Sequence, residues 1–225
     1  MNTIIFDIET VPVAFDTLDS VCQEYLLKFA ENDEEKENVK QQMALWAPTN
    51  RIVAIGMLSV ESGKGAVYYQ CGEEKIEQKE KDGIKYESGT EKEILEKFWK
   101  ALSFCTKFVT FNGRGFDCPV LMLRSAMLGI KPTKNLMPYR YNSEVHIDLL
   151  EQLTFYNACR KFNLDFYCKA FGITSPKSQG IDGHDVAPLY EKGEYTAIAE
   201  YCAGDLYATR DLYVRWRDYI SFERM

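Results

Sequence analysis

The chain has 225 residues, 46% of them hydrophobic, and carries a formal net charge of −7. This length and apolar content predict one folded domain over residues 1–225 with a single substantial core. The negative charge disfavours a protein that holds nucleic acid by general electrostatic attraction, although a site that recruits Mg²⁺ needs local negative charge. No apolar run approaches the roughly 20 residues that cross a bilayer, and no signal segment is recognisable, so we expect a cytoplasmic protein with no membrane contact. The seven cysteines lack CxxC spacing, which disfavours a zinc ribbon or a disulfide framework and predicts reduced, mostly buried thiols.

The first predicted element is a strand over residues 2–8, which is almost continuously apolar and therefore typical of a central strand buried on both faces. A helical insertion follows at about residues 19–45, and its charge run over residues 31–40 is expected to face solvent. Two strand-like runs at residues 51–60 and 66–71 are separated by a short Gly-containing connection, which predicts a hairpin. The polar stretch over residues 72–89 is predicted to be a loop.

A helix is predicted from Thr90, because Thr90 and Glu93 fit a capping box ahead of apolar residues at helical spacing. A fourth strand is expected over residues 107–111, followed by a turn and a helix at about 116–128. A short fifth strand and two further helices are predicted over residues 145–149, 164–171 and 195–219. Because strands dominate the first half and helices the second, the pattern predicts an α/β protein with a mixed sheet flanked by helices.

The end of the first strand carries two acidic side chains, Asp7 and Glu9. Residues two apart on a strand point to the same face, so their carboxylates are expected side by side. Such a pair suits Mg²⁺ or Mn²⁺, which prefer oxygen ligands and retain waters that a phosphate can displace. In isolation, this pair is more typical of strand-end charges that face solvent.

The fourth predicted strand ends at Asn112, and Asp117 follows at the start of the next helix. If this strand lies beside the first, Asp117 faces Asp7. Taken alone, the motif is better explained by a turn-forming Asn112 and by an Asp117 that the helix dipole favours.

The last predicted helix contains Tyr201 and Asp205, which are four residues apart and so share one face. Tyr207 and Asp211 have the same spacing, but they lie about 240° further around the helix, so only one of the two pairs can face a given site. Either pair can equally form a surface hydrogen bond.

Three motifs in this order resemble the DEDD superfamily of 3′–5′ exonucleases: Phe6-Asp7-Ile8-Glu9-Thr10, then Phe111-Asn112-Gly113 with Phe116-Asp117, then Tyr201-Cys202-Ala203-Gly204-Asp205. Two further segments, His146-Ile147-Asp148-Leu149 and residues 183–190, are similar to a bacterial branch related to the exonuclease domain of family B DNA polymerases. The resemblance implies a ribonuclease H-like sheet of five strands in the order 3-2-1-4-5, with strand 2 antiparallel. Because position 201 is Tyr and position 200 is Glu, the chain resembles the tyrosine subtype (DEDDy), which favours Tyr201 and Asp205 over the second pair.

The resemblance also implies a two-metal mechanism in which two Mg²⁺ or Mn²⁺ ions about 4 Å apart flank the scissile phosphate. Asp7 is implied to bridge both ions, with Glu9 and Asp205 completing one shell and Asp117 supporting the other. Tyr201 is implied to position the attacking water, since an unperturbed tyrosine is a poor base at neutral pH.

Four residues near these motifs are predicted to bind substrate, namely Thr10, Val11, Asn112 and Arg114. Arg114 can equally be a surface charge. A basic and aromatic segment at residues 131–141, containing Tyr139, Arg140 and Tyr141, is either a reader of single-stranded nucleic acid or an ordinary surface loop. His146 is expected to pack in a strand and His184 to lie in a loop, neither being required for catalysis.

The expected substrate is the 3′ end of single-stranded DNA, with RNA as an open alternative. No polymerase region accompanies the motifs, so any polymerase or repair partner is a separate chain. The alternatives are a catalytically inactive module that binds nucleic acid or a partner on the same fold, and another metal-dependent nuclease, for example an RNA-directed one. A domain with merely superficial acidic residues is the least favoured interpretation, because the three motifs occur in order on suitable elements.

Overall fold

The computed structural model describes residues 3–72, 79–175 and 180–222. The strands are β1 Thr3–Pro12, β2 Asn50–Ser59, β3 Gly65–Tyr69, β4 Lys79–Lys81, β5 Ile84–Ser88, β6 Lys107–Thr110 and β7 His146–Asp148. The helices are α1 Ser20–Leu27, α2 Asp33–Gln42, α3 Glu91–Leu102, α4 Asp117–Met127, α5 Leu149–Leu153, α6 Leu164–Phe171, α7 Val186–Glu191 and α8 Tyr195–Tyr219.

The strands form one mixed sheet in the order β4-β5-β3-β2-β1-β6-β7. β1 pairs antiparallel with β2 and parallel with β6, and β7 extends the sheet in parallel with β6. The run β3-β2-β1-β6-β7 is the predicted order 3-2-1-4-5, and its second strand is antiparallel as predicted. The ribonuclease H-like arrangement expected from the resemblance is therefore present at the centre of the sheet.

The prediction of five strands was wrong, and so was the predicted loop over residues 79–88, because β4 and β5 add a hairpin at the edge of the sheet. Residues 73–78 of the predicted loop lie outside the described residues. The two residues between them, Asp82 and Gly83, both have positive φ, at 53° and 83°. This is the backbone of the two-residue turns that an Asp-Gly pair favours. Ile84 and Tyr86 alternate towards the core as a strand with one buried face requires. The surrounding charged residues concealed this short alternating pattern.

Two apolar layers cover the two faces of the sheet. Ile5 and Val11 of β1 belong to the core beneath α8, whereas Ile4, Phe6 and Ile8 belong to the core beneath α3 and α4. This division follows from the alternation of side chains along a strand. The odd-numbered residues of β1, including Asp7 and Glu9, consequently lie on the face that α8 covers.

The predicted helices agree closely with the structure. Thr90 and Glu93 form a capping box at the start of α3, and α8 begins and ends within the predicted limits. Between β1 and β2, α1 and α2 form the predicted helical insertion, and neither helix contains a buried residue. The charge run over residues 31–40 therefore faces solvent as expected.

The cysteines behave as the sequence predicted. None of the seven forms a disulfide, and five of them are buried. His146 is also buried, stacked on Phe108, with Nε2 lying 2.8 Å from the Thr110 hydroxyl. Within the described ranges, no helix combines the length and apolar character needed to cross a membrane.

Candidate active site

The site is built on β1, the central strand, where Asp7 and Glu9 point towards α8. Glu9 is 8% exposed, and Asp7 is half-buried beside it. The register of β1 and β2 shifts between Glu9 and Thr10, which marks a β-bulge directly beside the two carboxylates. Such bulges redirect side chains near functional sites, so the end of β1 is locally shaped around this acidic pair.

A glycine in β2 allows α8 to approach the acidic pair. Gly56 is the register partner of Asp7, and a Cβ atom there would lie 2.8 Å from both Cys202 Sγ and Leu206 Cδ1 of α8. A contact below 3 Å is too short for carbon or sulfur neighbours, so any larger residue at this position would have to push these side chains of α8 aside. Cys202 Sγ lies 3.9 Å from the Asp7 carbonyl oxygen as a weak donor. Gly56 was not identified from the sequence, because the close approach of α8 to β2 becomes visible only in the folded chain.

Helix α8 brings Tyr201 and Asp205 to the same cluster. Both residues are 9% exposed, and burial together with the charge of the nearby Asp205 carboxylate raises the pKa of the Tyr201 phenol. Tyr207 instead donates to the Asp82 carbonyl oxygen at 2.8 Å, and Asp211 pairs with Arg210 at 2.8 Å. The two Tyr–Asp pairs of α8 therefore lie on different faces of the helix. Tyr201 and Asp205 face β1, whereas Tyr207 and Asp211 face the β4–β5 side and solvent.

Asp117 joins the cluster from the first turn of α4. Its Oδ1 accepts a hydrogen bond from the Ile8 backbone N–H at 3.1 Å. The pairing of β1 with β6 ends at Ile5. The Asp117 carboxylate therefore accepts the Ile8 N–H, which a longer β6 would have bonded through a backbone carbonyl. Asp117 thereby contacts β1 between Asp7 and Glu9, which confirms the predicted juxtaposition of the two strands.

A further acidic residue, Asp148 at the end of β7, orders the turn that leads to Asp117. Its carboxylate accepts backbone N–H bonds from Asn112 at 3.0 Å, Arg114 at 2.8 Å and Leu150 at 3.0 Å. Asn112 has a positive φ of 60°, and a Cβ at Gly113 would meet Thr110 Oγ1 at 2.3 Å. The sequence analysis used Asp148 only as part of a resemblance and missed this contact, although an Asp that ends a strand ahead of a helix is a recognisable capping signal.

The carboxylates strongly perturb one another. Burial, followed by the charges of Asp117, Asp205 and Glu9, holds the pKa of Asp7 well above its usual range. Burial and the same kind of repulsion from Asp205 and Asp117 raise the pKa of Glu9. Burial raises the pKa of Asp117 to about 7, although its hydrogen bonds from backbone N–H groups oppose the shift. Four buried carboxylates can all ionise near neutral pH only if cations neutralise them.

The donor set fits hard divalent cations. Among the described residues, ligand atoms of Asp7, Glu9 and Cys202 all lie within 4.8 Å of one another. Burial and the charge of Asp7 raise the pKa of the Cys202 thiol, so the sulfur stays protonated and is a poor metal ligand. Apart from this sulfur, the possible metal ligands of the cluster are carboxylate oxygens and the hydroxyl of Tyr201. They match the preference of Mg²⁺ and Mn²⁺ for oxygen.

The predicted substrate-binding residues fall into two adjoining clefts. Thr10 and Val11 line a cleft of about 1380 Å³ that also contains Asp7, Tyr201 and Asp205. The Thr10 hydroxyl is already committed to the Ala44 carbonyl oxygen at 2.7 Å. This large cleft runs from the acidic cluster to the insertion and to α6 and α7.

Asn112 and Arg114 line a second cleft of about 390 Å³. The Arg114 guanidinium donates to the Pro138 carbonyl oxygen at 3.0 Å and pairs with Glu151 at 3.5 Å. Arg114 thus holds neighbouring segments together, and a substrate contact would require it to leave these partners. Asn112 is exposed at the mouth of this small cleft.

Residues 44–221 match a family model described as a predicted 3′–5′ exonuclease related to the exonuclease domain of PolB. Asp117, Tyr201 and Asp205 lie inside this span, and Asp7 and Glu9 precede it. Comparison with curated proteins finds no match.

Among solved structures, the chain is similar to the family B DNA polymerase from the hyperthermophilic archaeon Pyrobaculum calidifontis, with a TM-score of 0.60 and 16% sequence identity. The match covers 96% of this chain and 24% of the polymerase chain, so this protein corresponds to about a quarter of that enzyme. At this identity the likeness establishes the fold. The family match extends over well more than half of the chain, and the chain therefore belongs to the family of predicted 3′–5′ exonucleases related to the exonuclease domain of PolB.

Proposed function

We propose that this protein is a metal-dependent 3′–5′ exonuclease that hydrolyses phosphodiester bonds at the 3′ end of single-stranded nucleic acid, with DNA as the expected substrate. The observation that carries the proposal is the convergence of four carboxylates, Asp7, Glu9, Asp117 and Asp205, of which Asp7 and Asp205 line a large open cleft. Burying four mutually repelling carboxylates is costly unless they hold cations, so a purely structural role does not account for the cluster.

Asp7, Glu9, Asp117 and Asp205 would together hold two Mg²⁺ or Mn²⁺ ions through their carboxylate oxygens. When bound, such ions lower the pKa of water and neutralise charge on the phosphate. Asp117 can offer one carboxylate oxygen outward while the other accepts the Ile8 N–H. This hydrogen bond fixes the carboxylate before substrate arrives, which reduces the reorganisation needed during the reaction.

Tyr201 would orient the attacking water through its hydroxyl. Burial and the neighbouring Asp205 carboxylate raise the pKa of Tyr201 above its ordinary value of 10, so the phenol does not serve as a base at neutral pH. Tyr201 and Asp205 both line the large cleft, so the phenol lies beside a carboxylate of the cluster where a water can bind. A positioning role therefore suits Tyr201 better than proton abstraction.

The proposal is tested with 5′-labelled single-stranded oligonucleotides, as DNA and as RNA, with a free or a blocked 3′ end. We expect stepwise shortening of the unblocked strand in Mg²⁺ or Mn²⁺, no reaction in EDTA, and loss of activity in Asp7→Asn. Cleavage of the blocked strand would indicate an endonuclease, and absence of cleavage under every condition would favour an inactive binding module.

Helix α8 supplies matched controls for this experiment. Asp205→Asn and Tyr201→Phe are expected to lower kcat strongly, because both side chains face the carboxylate cluster. Asp211→Asn and Tyr207→Phe change the same residue types on the same helix, six residues further on, and should retain nearly full activity. Equal losses in the two pairs would contradict the assignment of the site.

A further inference from the structure

Exposed aromatic rings lie next to the small cleft, because Tyr139 and Tyr141 are the chain neighbours of Arg140, which lines it. Tyr139 is 74% exposed, Tyr141 is 58% exposed and Phe155 is 61% exposed. The rings of Tyr139 and Tyr141 lie 5.7 Å apart in an edge-on arrangement, and Tyr156 packs 4.7 Å from Tyr141. Single exposed aromatic residues are ordinary, but a connected group of this size marks a surface with a ligand to bind.

The charges of this surface differ from those of the large cleft. Arg114, Arg140 and Lys161 line the small cleft, where Glu151 pairs with Arg140 at 2.8 Å and with Arg114 at 3.5 Å. The other acidic lining residue, Asp148, accepts three backbone N–H bonds. By contrast, acidic residues outnumber basic ones along the large cleft. On a protein with a net charge of −7, the small cleft is therefore a local site where a phosphate backbone is tolerated.

The two clefts are continuous along the chain. Phe111 lines the large cleft and Asn112 lines the small one, and in the same way Asn163 lines the large cleft and Lys161 the small one. Arg114 also ties the aromatic segment to the turn before Asp117, because it donates to the Pro138 carbonyl oxygen. A strand whose end lies at the carboxylates can pass over this short boundary onto the aromatic surface.

We propose that Tyr139, Arg140 and Tyr141 form a platform that binds single-stranded nucleic acid on the 5′ side of the nucleotides held at the carboxylate cluster. Exposed aromatic faces stack on bases regardless of sequence, and the half-exposed Arg140 guanidinium, which meets Glu151 through Nε, can also contact a phosphate. Of the basic residues in the segment, Lys134 is excluded from the platform, because its amine donates to the Cys105 carbonyl oxygen. The assignment rests on the proposed exonuclease function, which places the 3′ end at the cluster.

Two substrates separate the platform from the catalytic centre. The p-nitrophenyl ester of thymidine 5′-phosphate is a single nucleotide that we expect to occupy the carboxylate cluster alone, whereas a 16-nucleotide oligothymidylate can extend beyond it over the small cleft. Tyr139→Ala should lower kcat/KM for the oligonucleotide about tenfold, mainly through KM, and leave the ester unaffected. Tyr139→Phe should retain the wild-type value, because the stacking face remains.

The matched control is Tyr219→Ala. Tyr219 is 75% exposed, like Tyr139, but it lies 18 residues beyond Tyr201 on α8, or about 27 Å along the helix. Unchanged oligonucleotide kinetics in Tyr139→Ala and Tyr141→Ala would overturn the platform. An equal loss for ester and oligonucleotide would overturn it as well, because the substitution would then act on the catalytic centre.

A binding measurement keeps the test independent of catalysis. The fluorescence anisotropy of a labelled 16-nucleotide strand in EDTA should show weaker binding to Tyr139→Ala, and Arg140→Gln should reduce the slope of log Kd against log salt concentration by about 0.7. If the wild type hydrolyses neither substrate, the proposed function fails, and this binding result alone decides the platform. Binding and salt slopes that match the wild type would exclude it.

Discussion

Replacing Gly56 with alanine tests how closely α8 must lie against β1. Removing a glycine from a strand ordinarily stabilises a protein by about 0.5–1 kcal/mol, because the unfolded chain loses freedom. Here the added Cβ would lie 2.8 Å from Cys202 Sγ and Leu206 Cδ1, and overpacking of this kind costs about 1–3 kcal/mol. The steric term is the larger, so we expect a net destabilisation of about 1 kcal/mol.

Activity should suffer more than stability. Because α8 carries Tyr201 and Asp205, a displacement of the helix by a few tenths of an ångström alters the distances within the cluster, and misplacement by about 1 Å can cost about 100-fold in rate. The assays are urea denaturation and kcat/KM on an unblocked oligonucleotide. Adding Cys202→Ala removes one of the two clashing atoms and should recover part of both losses. A Gly56→Ala protein with wild-type stability and activity would refute the argument that glycine sets the helix position.

Three further predictions concern the carboxylates. Because burial raises the pKa of Asp117 to about 7, its neutral form stabilises the metal-free fold at low pH, and this stabilisation is lost as the pH rises through 7. The Tm in EDTA should therefore fall from pH 5.5 to 8. Mg²⁺ should raise the Tm more at pH 8 than at pH 5.5. An equal Mg²⁺ effect at both values would contradict this. Asp117→Ala should cost about 1–3 kcal/mol in denaturation experiments, since it leaves the buried Ile8 N–H unpaired, whereas Asp117→Asn can retain the fold and still lose activity. Asp148→Ala should lower kcat and loosen the turn at Asn112, measurable as faster amide exchange there; unchanged exchange would argue against its ordering role.

Much of the fold was accessible from local patterns. The capping box at Thr90 and the apolar spacing behind it located α3, and the alternation of β1 placed Asp7 and Glu9 on one face. The hairpin of β4 and β5 was missed, because its strands are short and rich in charge. Its turn at Asp82 and Gly83 nevertheless carried a recognisable signal.

The candidate site was less accessible from sequence, since its contacts join distant segments. The spacing of residues along α8 did not distinguish Tyr201 and Asp205 from Tyr207 and Asp211. Only the resemblance to the exonuclease family favoured Tyr201. Likewise, nothing local to Gly56 predicts the close approach of α8, and the capping signal at Asp148 does not predict its contact with the distant turn at Arg114. Arg114 looked suited to a substrate phosphate, but whether its side chain is engaged by Glu151 depends on tertiary packing.

The contacts that build the cluster have a consequence for folding. Asp117 meets Ile8 across 109 residues of sequence, and Cys202 meets Asp7 across 195. Contacts of such long range form late and slowly, because much chain entropy is lost before they are made. A chain synthesised only as far as the start of α8 therefore lacks Asp205 and cannot complete the cluster. Under the proposed function, the topology would delay cleavage of nucleic acid until α8 has folded against the sheet.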